Sequence, residues 1–395
     1  MTVLTAEAWH LGARRIPRTA GFRVELVRDW NRAATHWNDV STSTLFQDLR
    51  WLDAWYKAFA SLDDVEPLIA VITDAATGEP AALLPLIRRR HNGIRIVEFA
   101  DLALTDYNAP MLGPMAPRDA AAARALWRDL LAALRRMPGG ADLIRLRKMP
   151  LDLDGRPNPL TLLDGARPSS LNGNLVTTGD DFDVYRNSLG RNARKDLARC
   201  WRVFARDPAA AFQIVTEKNN ALRVLGTMEI QQDVRMQHLG LNFILNGETC
   251  AAFYRNLVSE NLLSGYAVLS ALTVGEEVVA TLLGIRVGPR YLMVRISNAG
   301  EKWSKCSPGR LIIERTMAEL HRDGVREFDF SVGNYAYKRR FGVTPLPLAD
   351  ISVALSWRGL PYAWRDRAAS EIRRRPRLAM LADWALGRPP SREIS

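Results

Sequence analysis

Cysteine is scarce: three residues, Cys200, Cys250 and Cys306, in a chain of 395. They lie far apart and are odd in number, which argues against a disulfide framework and against a cysteine zinc site. The five histidines (His10, His36, His91, His238 and His321) show no ligand spacing, so no metal site is expected. No Gly-x-Ser-x-Gly stretch is present, which argues against a serine hydrolase of that type. No apolar run approaches the roughly 20 residues needed to span a bilayer. The opening stretch MTVLTAEAWHLGARRIPRT lacks the apolar centre of a secretory leader, so the cytoplasm is the expected location. Zinc-finger spacing, an RNA-recognition signature and a heptad-backed basic region are all missing, so nucleic acid is not the favoured partner.

What is present is an ordinary globular composition, 47% hydrophobic and 25% charged. The length suggests two or three domains. The net charge of +11, with arginine well ahead of lysine, favours anionic partners such as phosphorylated cofactors, acidic carrier proteins or lipid.

The pattern along the chain is mixed α and β. FRVELV (22–27) alternates as a strand does, and STSTLFQDLRWLDAWYKAFA (41–60) spaces Leu49, Leu52, Trp55, Tyr56 and Phe59 as a helix does. Strands are predicted over 66–74, 80–90 and 94–100, a loop over 101–112, a helix over 117–137 and a strand over 141–149. Residues 150–180, rich in Pro, Gly, Asn and Asp, read as a boundary or long connection. Helices are then predicted over 187–207, near 219–238 and over 250–263. Strands follow over 267–274, 277–287 and 290–298, then a helix over 310–323 and a strand over 326–332. The expected division is a loose arm (1–20), a first half (21–175), a second half (176–350) and an Arg-rich helical tail (351–395). Each half reads helix, three antiparallel strands, loop, helix, strand. That is the element order of the acyl-CoA N-acyltransferase (GNAT) fold, so the fold class is α/β with a mixed sheet, as two GNAT units in tandem.

Four segments carry a family resemblance: TLFQDLRWLDAWYKAF, LLPLIRRRHNGIRIVEFADLALTDYNAPML, RNARKDLAR and SPGRLIIERTMAELHRDGVREFDFSVGNYAYKRRFG. In their order and context they resemble the CelD/BcsL-like GNAT acyltransferases, relatives of the Fem-type aminoacyltransferases, over roughly residues 40–345. The resemblance implies acyl transfer from acyl-CoA or acetyl-CoA, or from acyl carrier protein, to an amine of a small molecule or saccharide precursor. It also implies a setting in exopolysaccharide or cellulose synthesis. One departure is that members often carry a histidine near the start of the helix before the second meander, where this chain has Gln231 or Gln232.

Such chemistry needs a held thioester, a polarised carbonyl, a base for the amine and an acid for the departing thiolate. KCSPGRL (305–311) fits the cofactor's pyrophosphate: Ser307 can cap a helix, Pro308 preset its first turn, and Gly309 admit a phosphate, while Lys305 and Arg310 add charge. In EFDFSVGNYAYKRRFG (327–342), Phe328 and Phe330 alternate with Glu327, Asp329 and Ser331, and Asp329 is the candidate base. By resemblance a tyrosine in this region protonates the thiolate. Tyr337 is preferred over Tyr335, with Lys338 or Arg339 expected to lower its pKa and to contact substrate. In the first half, the TDYNAP loop (105–110) offers Asp106 and Tyr107 to the acceptor. The basic stretch 187–207 suits an acidic carrier protein, and the Arg- and Trp-bearing tail permits peripheral contact with an anionic membrane. Nothing flanking Cys306 marks it as an activated nucleophile, so direct transfer is expected. Two other readings remain: Fem-type transfer from aminoacyl-tRNA to a cell-wall acceptor, and a non-catalytic scaffold of the same fold.

Overall fold

The computed structural model describes residues 21–374 apart from 36, 38–41, 241–244, 246 and 334. The expected arm at 1–20 and the tail beyond 374, with Pro376 and Trp384, lie outside the described residues.

The first half runs β1 (Phe22–Val27), α1 (Trp30–Ala34), α2 (Leu49–Phe59), β2 (Val65–Pro67), β3 (Ile69–Asp74), β4 (Pro80–Leu84), β5 (Leu86–His91), β6 (Ile94–Phe99), β7 (Met111–Leu112), α3 (Ala120–Arg136) and β8 (Leu143–Pro150). The small hairpin β9 (Asp152–Leu153) and β10 (Arg156–Pro157) leads to β11 (Arg167–Thr177). The second half runs α4 (Phe182–Ser188), α5 (Arg191–Phe204), β12 (Ala210–Val215), α6 (Lys218–His238), α7 (Glu248–Asn261), β13 (Ala267–Val274), β14 (Glu277–Val287), β15 (Arg290–Asn298), α8 (Pro308–Arg322), β16 (Glu327–Asp329), α9 (Ala336–Arg339) and β17 (Thr344–Ala354). Helix α10 (Leu360–Arg374) closes the described chain.

Local chemistry explains the helices. Asp48 caps α2 by accepting from the Arg50 amide, and Asp119 caps α3 by accepting from the amides of Ala121 and Ala122. Helix α3 buries Ala123, Leu126, Leu130, Leu131 and Leu134, a spacing that puts one face on the sheet.

An eleven-stranded sheet runs through both halves in the order β12-β13-β14-β15-β16-β11-β17-β8-β6-β5-β2. Within it β15 pairs with β16 in parallel, as β6 does with β8. The centre is an exchange. Strand β11, which follows the first half in the chain, pairs with β16 of the second. Strand β17, which follows the second half, pairs with β8 of the first, and β11 and β17 pair with each other. A separate sheet, β1-β3-β4-β7, flanks the first half.

Several expectations need correction. The stretch 150–180 is not only a connection, since 167–177 is a central strand. Its Pro, Gly and Asn content looks like loop, but partners on both sides fix its backbone, and Pro168 sits where the register with β17 shifts. The runs 66–74 and 80–90 each break, at Leu68 and Pro85, into strands of two different sheets. The helix expected over 187–207 is two helices parted at Leu189 and Gly190. Strand β12 is absent from the sequence reading. AAFQIV alternates weakly, and the pairing with β13 decides its structure.

The core binds the halves together. Trp51 and Phe59 of α2 pack on Phe253 of α7, with ring centroids 5.1 and 5.6 Å apart. Trp55, Tyr254, Leu257 and Tyr266 join the same buried cluster. A second cluster, with Phe204, Leu311, Ile312, Phe328 and Phe341, lies on the other face of the second-half strands.

Candidate active site

Strand β16 is short, and the backbone leaves it sharply. Ser331 adopts the left-handed region (φ 64°) and Gly333 follows at φ 101°. Serine is uncommon there, so the segment must be held by its surroundings. Asn174 of β11 donates to the carbonyls of Ser331 (2.8 Å) and Gly333 (3.0 Å). The Ser331 hydroxyl donates to the Met293 carbonyl (2.8 Å), and its amide to Asp329 Oδ1 (2.7 Å). The parallel pairing of β15 with β16 covers only Arg290–Leu292. Beyond it β15 continues to Asn298 with no strand paired on that side among the described residues, because the two strands diverge.

Four sequence-predicted residues meet at this divergence. Asp329 accepts from the Tyr107 hydroxyl at 2.7 Å, a bond that reaches from one half of the chain to the other. Tyr107 is buried, and its approach requires Gly173: a Cβ there would collide with the phenol ring. Lys338 is buried, its ammonium donating to the carbonyls of Val332 (2.7 Å) and Ser331 (3.3 Å). Asp106, next to Tyr107, faces Ser331 and the ammonium groups of Lys148 and Lys338. Residue Asp329 keeps some accessible surface, but protein packs around its carboxylate.

This enclosure sets the electrostatics. Burial pushes the Asp329 carboxyl up to about 7, although the Tyr107 hydroxyl, the Ser331 amide and Lys338 favour its charged form; Asp106 adds to the rise. Burial brings the Lys338 ammonium down to about 8 against the pull of Asp106 and Asp329. Burial also raises Asp106 and, together with the Asp329 charge, Tyr107. Burial therefore moves the carboxyl up and the ammonium down, both toward the range that general acid–base chemistry uses.

Tyr337 differs from expectation. Its ring stacks on Tyr335, centroids 6.1 Å apart. Burial and Tyr335 push its phenol up to about 12, not down. Lys338, expected to lower it, turns its ammonium to the carbonyls at 331 and 332. Arg339 is exposed.

At the start of α8, Ser307 stands at the cap position with φ 45° but makes no side-chain capping bond. Its hydroxyl instead accepts from Arg310 Nη2 (2.7 Å). Arg310 Nη1 reaches Asp196 Oδ2 (2.5 Å), and Arg199 (2.8 Å) and Arg340 (3.5 Å) converge on the same carboxylate. Three guanidinium groups thus meet one acid at the start of α8, where the amides of Arg310 and Leu311 already donate to the Ser307 carbonyl (3.0 and 3.1 Å). Pro308 opens the helix. Gly309 is not forced by backbone angle, and a Cβ there would make only ordinary contacts with Asn298 and Ile296. Lys305 is exposed, and its carbonyl accepts from Arg199. Sequence reasoning missed Asp196, Arg199 and Arg340. The available signal was one acid in a run of basic residues. Gln231 and Gln232, where the family's histidine would fall, donate to the carbonyls of Val278 (2.7 Å) and Ile296 (3.0 Å) and so brace α6 on the sheet. Cys306 is buried and its thiol is pushed up, which suits direct transfer.

The region thus combines a buried strand end, an enclosed carboxylate of raised pKa and a helix start flanked by guanidinium groups. Residues 191–339 match the family model described as an acetyltransferase (GNAT) domain, so this stretch has the fold of such a domain. Domains of this fold generally take an acyl-CoA as co-substrate.

FemX is similar in structure, at 10% identity and a TM-score of 0.55, over 82% of this chain and 96% of that one. A conserved protein of unknown function from Bacteroides thetaiotaomicron VPI-5482 is similar over 85% and 100%, at 10% identity and a TM-score of 0.54. The C-terminal domain (DUF2156) of a putative lysylphosphatidylglycerol synthetase from Agrobacterium fabrum is similar over 86% and 96%, at 12% identity and a TM-score of 0.50. At these identities the likeness is one of fold. Comparison with curated protein sequences gives no match. Among the described residues, no group of three or more His, Cys, Asp and Glu could hold a metal ion, and no helix is long and apolar enough to cross a membrane.

Replacing Tyr107 with phenylalanine tests the bridge. Loss of a hydrogen bond to a charged group raises the Asp329 pKa further. The acidic limb of the pH profile of kcat/KM should move up by roughly one unit. Activity at pH 7 falls and recovers at higher pH. A purely structural role would lower activity equally at every pH.

Proposed function

We propose that the protein transfers an acyl group from an acyl-CoA thioester, or from acyl carrier protein, to an amine on a small molecule or saccharide precursor, in a setting such as exopolysaccharide synthesis. The observation that carries this reading is the approach of Tyr107 and Asp106 from the first half to Asp329 of the second, whose carboxyl is pushed up to about 7. The thioester arm lies in the gap between β15 and β16, adding hydrogen bonds to the open side of β15. Its pyrophosphate sits at the start of α8, where Arg310, Arg199 and Arg340 gather. Asp106 and Tyr107 orient the acceptor amine, and Asp329 takes its proton. The amine nitrogen attacks the thioester carbonyl, the C–S bond breaks, and the thiolate takes a proton. Lys338, at about 8, is closer to the ordinary thiol range than Tyr337 at about 12, so it is the better donor of the two.

The test is thermal stability with free CoA, acetyl-CoA, a long-chain acyl-CoA, and holo- and acyl-carrier protein, alongside release of free thiol. A ligand at about 100 times its Kd stabilises the native state by about 2.7 kcal/mol. CoA thioesters are expected to stabilise the protein, and Arg310→Ala to weaken that effect about tenfold or more in Kd. Response to acyl carrier protein alone would move the donor to that carrier and the contact to the exposed basic face of α5. If no thioester bound and none were consumed with any amine, the reading would be wrong.

A further inference from the structure

Helix α10 lies beyond residues 191–339, the stretch that matches the family model, and its two faces differ. The inner face is packed. Tyr362 and Ala363 rest on Ile94, Ile96 and Leu143. Asp366 accepts from Arg145 Nε (2.7 Å) and from the Ser352 hydroxyl (2.9 Å), and Ser370 is buried. At about 100° per residue these positions leave Leu360, Pro361, Trp364, Ala368 and Ile372 on the opposite side. All five are exposed, Trp364 at 75%. The turn before the helix, Trp357–Gly359, adds Trp357, exposed at 79%. That turn is pinned to the body. The Ser356 hydroxyl donates to Asp142 Oδ1 (2.7 Å), and Gly359 lies so close to the Asp142 carbonyl that a Cβ would collide with it. Two tryptophans are thus held out in water by a fixed turn and a docked helix, and nothing among the described residues covers them.

The charges around this stripe have one dominant sign. Arg365 and Arg367 flank it, one on each side, and both are exposed, as is Arg358 beside Trp357. Glu371 is the one acid on this face among the described residues, and Arg373, Arg374 and Arg375 follow it in the sequence. We propose that the outer face of α10 is a docking surface for an anionic lipid membrane. The helix lies along the membrane plane, with Trp357 and Trp364 at headgroup level and the arginines reaching lipid phosphates on either side. Indole rings suit that depth because they are apolar with one polar N–H. A bilayer also accepts a convex helix without a groove cut to fit it. Charge sets aside two other occupants. The residues after 372 carry six arginines against Asp383 and Glu393, and a second copy of the chain carries the same net +11. Either would set positive charge against the flanking arginines. The inference goes beyond the acyltransferase reading and does not depend on it; it places the protein's chemistry at a membrane surface.

The experiment is sedimentation of the full chain with phosphatidylcholine vesicles, with and without phosphatidylglycerol. It is run at ionic strengths of about 0.1 and about 1 M, where charges are felt over about 10 and about 3 Å. The wild type is expected to bind the phosphatidylglycerol vesicles at the lower ionic strength, and at least tenfold more weakly without that lipid or at the higher one. The double variants Trp357→Ala/Trp364→Ala and Arg365→Gln/Arg367→Gln should each weaken binding about tenfold or more. The tryptophans are exposed, so their removal should leave the urea midpoint without vesicles in place. Absence of wild-type binding to the anionic vesicles, or binding that the tryptophan variant leaves unchanged, overturns the proposal. A lowered midpoint in the lipid-free tryptophan variant would give the face to other residues of the same chain. A halved mass of that variant in solution would give it to a second copy. Either result also overturns the proposal.

Discussion

Asp329→Asn is expected to abolish most turnover, lowering kcat about 10²–10⁴-fold while the protein stays folded. The amide keeps an oxygen where Oδ1 accepts from the Tyr107 hydroxyl and the Ser331 amide, so the local geometry is retained. What is lost is the proton acceptor. In the wild type the base must be ionised, so activity should rise with pH through about 7. That limb should be missing from the residual activity of the variant. Stability should move the other way. The folded pKa lies above the unfolded carboxylate value of about 3.9, so the native state binds more protons between about 4 and 7. The wild type therefore loses stability as pH rises through that window, and asparagine does not. The variant is expected to gain relative stability with rising pH, up to roughly 4 kcal/mol above pH 7. Denaturant unfolding at pH 5 and pH 8, beside a thiol-release assay, checks both halves of the prediction. Unchanged kcat would remove Asp329 from the mechanism.

Phe253→Ala is expected to cost about 3–5 kcal/mol, a large share of a domain's usual stability of about 5–15 kcal/mol. The ring touches Trp51 and Phe59 of the first half and Tyr254 of its own helix, all buried, so no solvent can fill the gap cheaply. The urea midpoint should fall with the slope unchanged if the chain unfolds as one unit. Two separate transitions instead would show that the aromatic cluster does not unite the halves.

The element types of both meanders were legible in the sequence, and β13, β14 and β15 match their expected bounds. Alternation, turn glycines and capping residues are local signals, and they suffice for hairpins and amphipathic helices. The site was legible where a polar residue interrupts a strong local pattern. Asp329 stands between Phe328 and Phe330, and Asp106 and Tyr107 stand in a turn-rich loop. Their meeting was not legible, because 222 residues separate Tyr107 from Asp329. The direction of the Tyr337 shift failed for a related reason. Adjacent cations in sequence suggest a lowered phenol pKa, but the fold turns Lys338 to other partners and buries the ring. Strand β11 was hidden because its Pro, Gly and Asn content is tolerated only by partners on both sides, which no local window reveals. The Arg145–Asp366 pair spans 221 residues and was equally invisible.

The crossing of β11 and β17 makes the molecule topologically indivisible. A chain severed between β8 and β11 would leave a first fragment without the strand that flanks β8, and a second whose closing strand has lost its neighbour on one side. Each piece alone would present an unpaired, aggregation-prone edge. The two would be rescued only by each other, as complementing fragments. The same crossing delays completion of the sheet during synthesis, because β8 must wait for β17, about two hundred residues later, to emerge. Neither half could be lost or replaced without exposing the other's central edge.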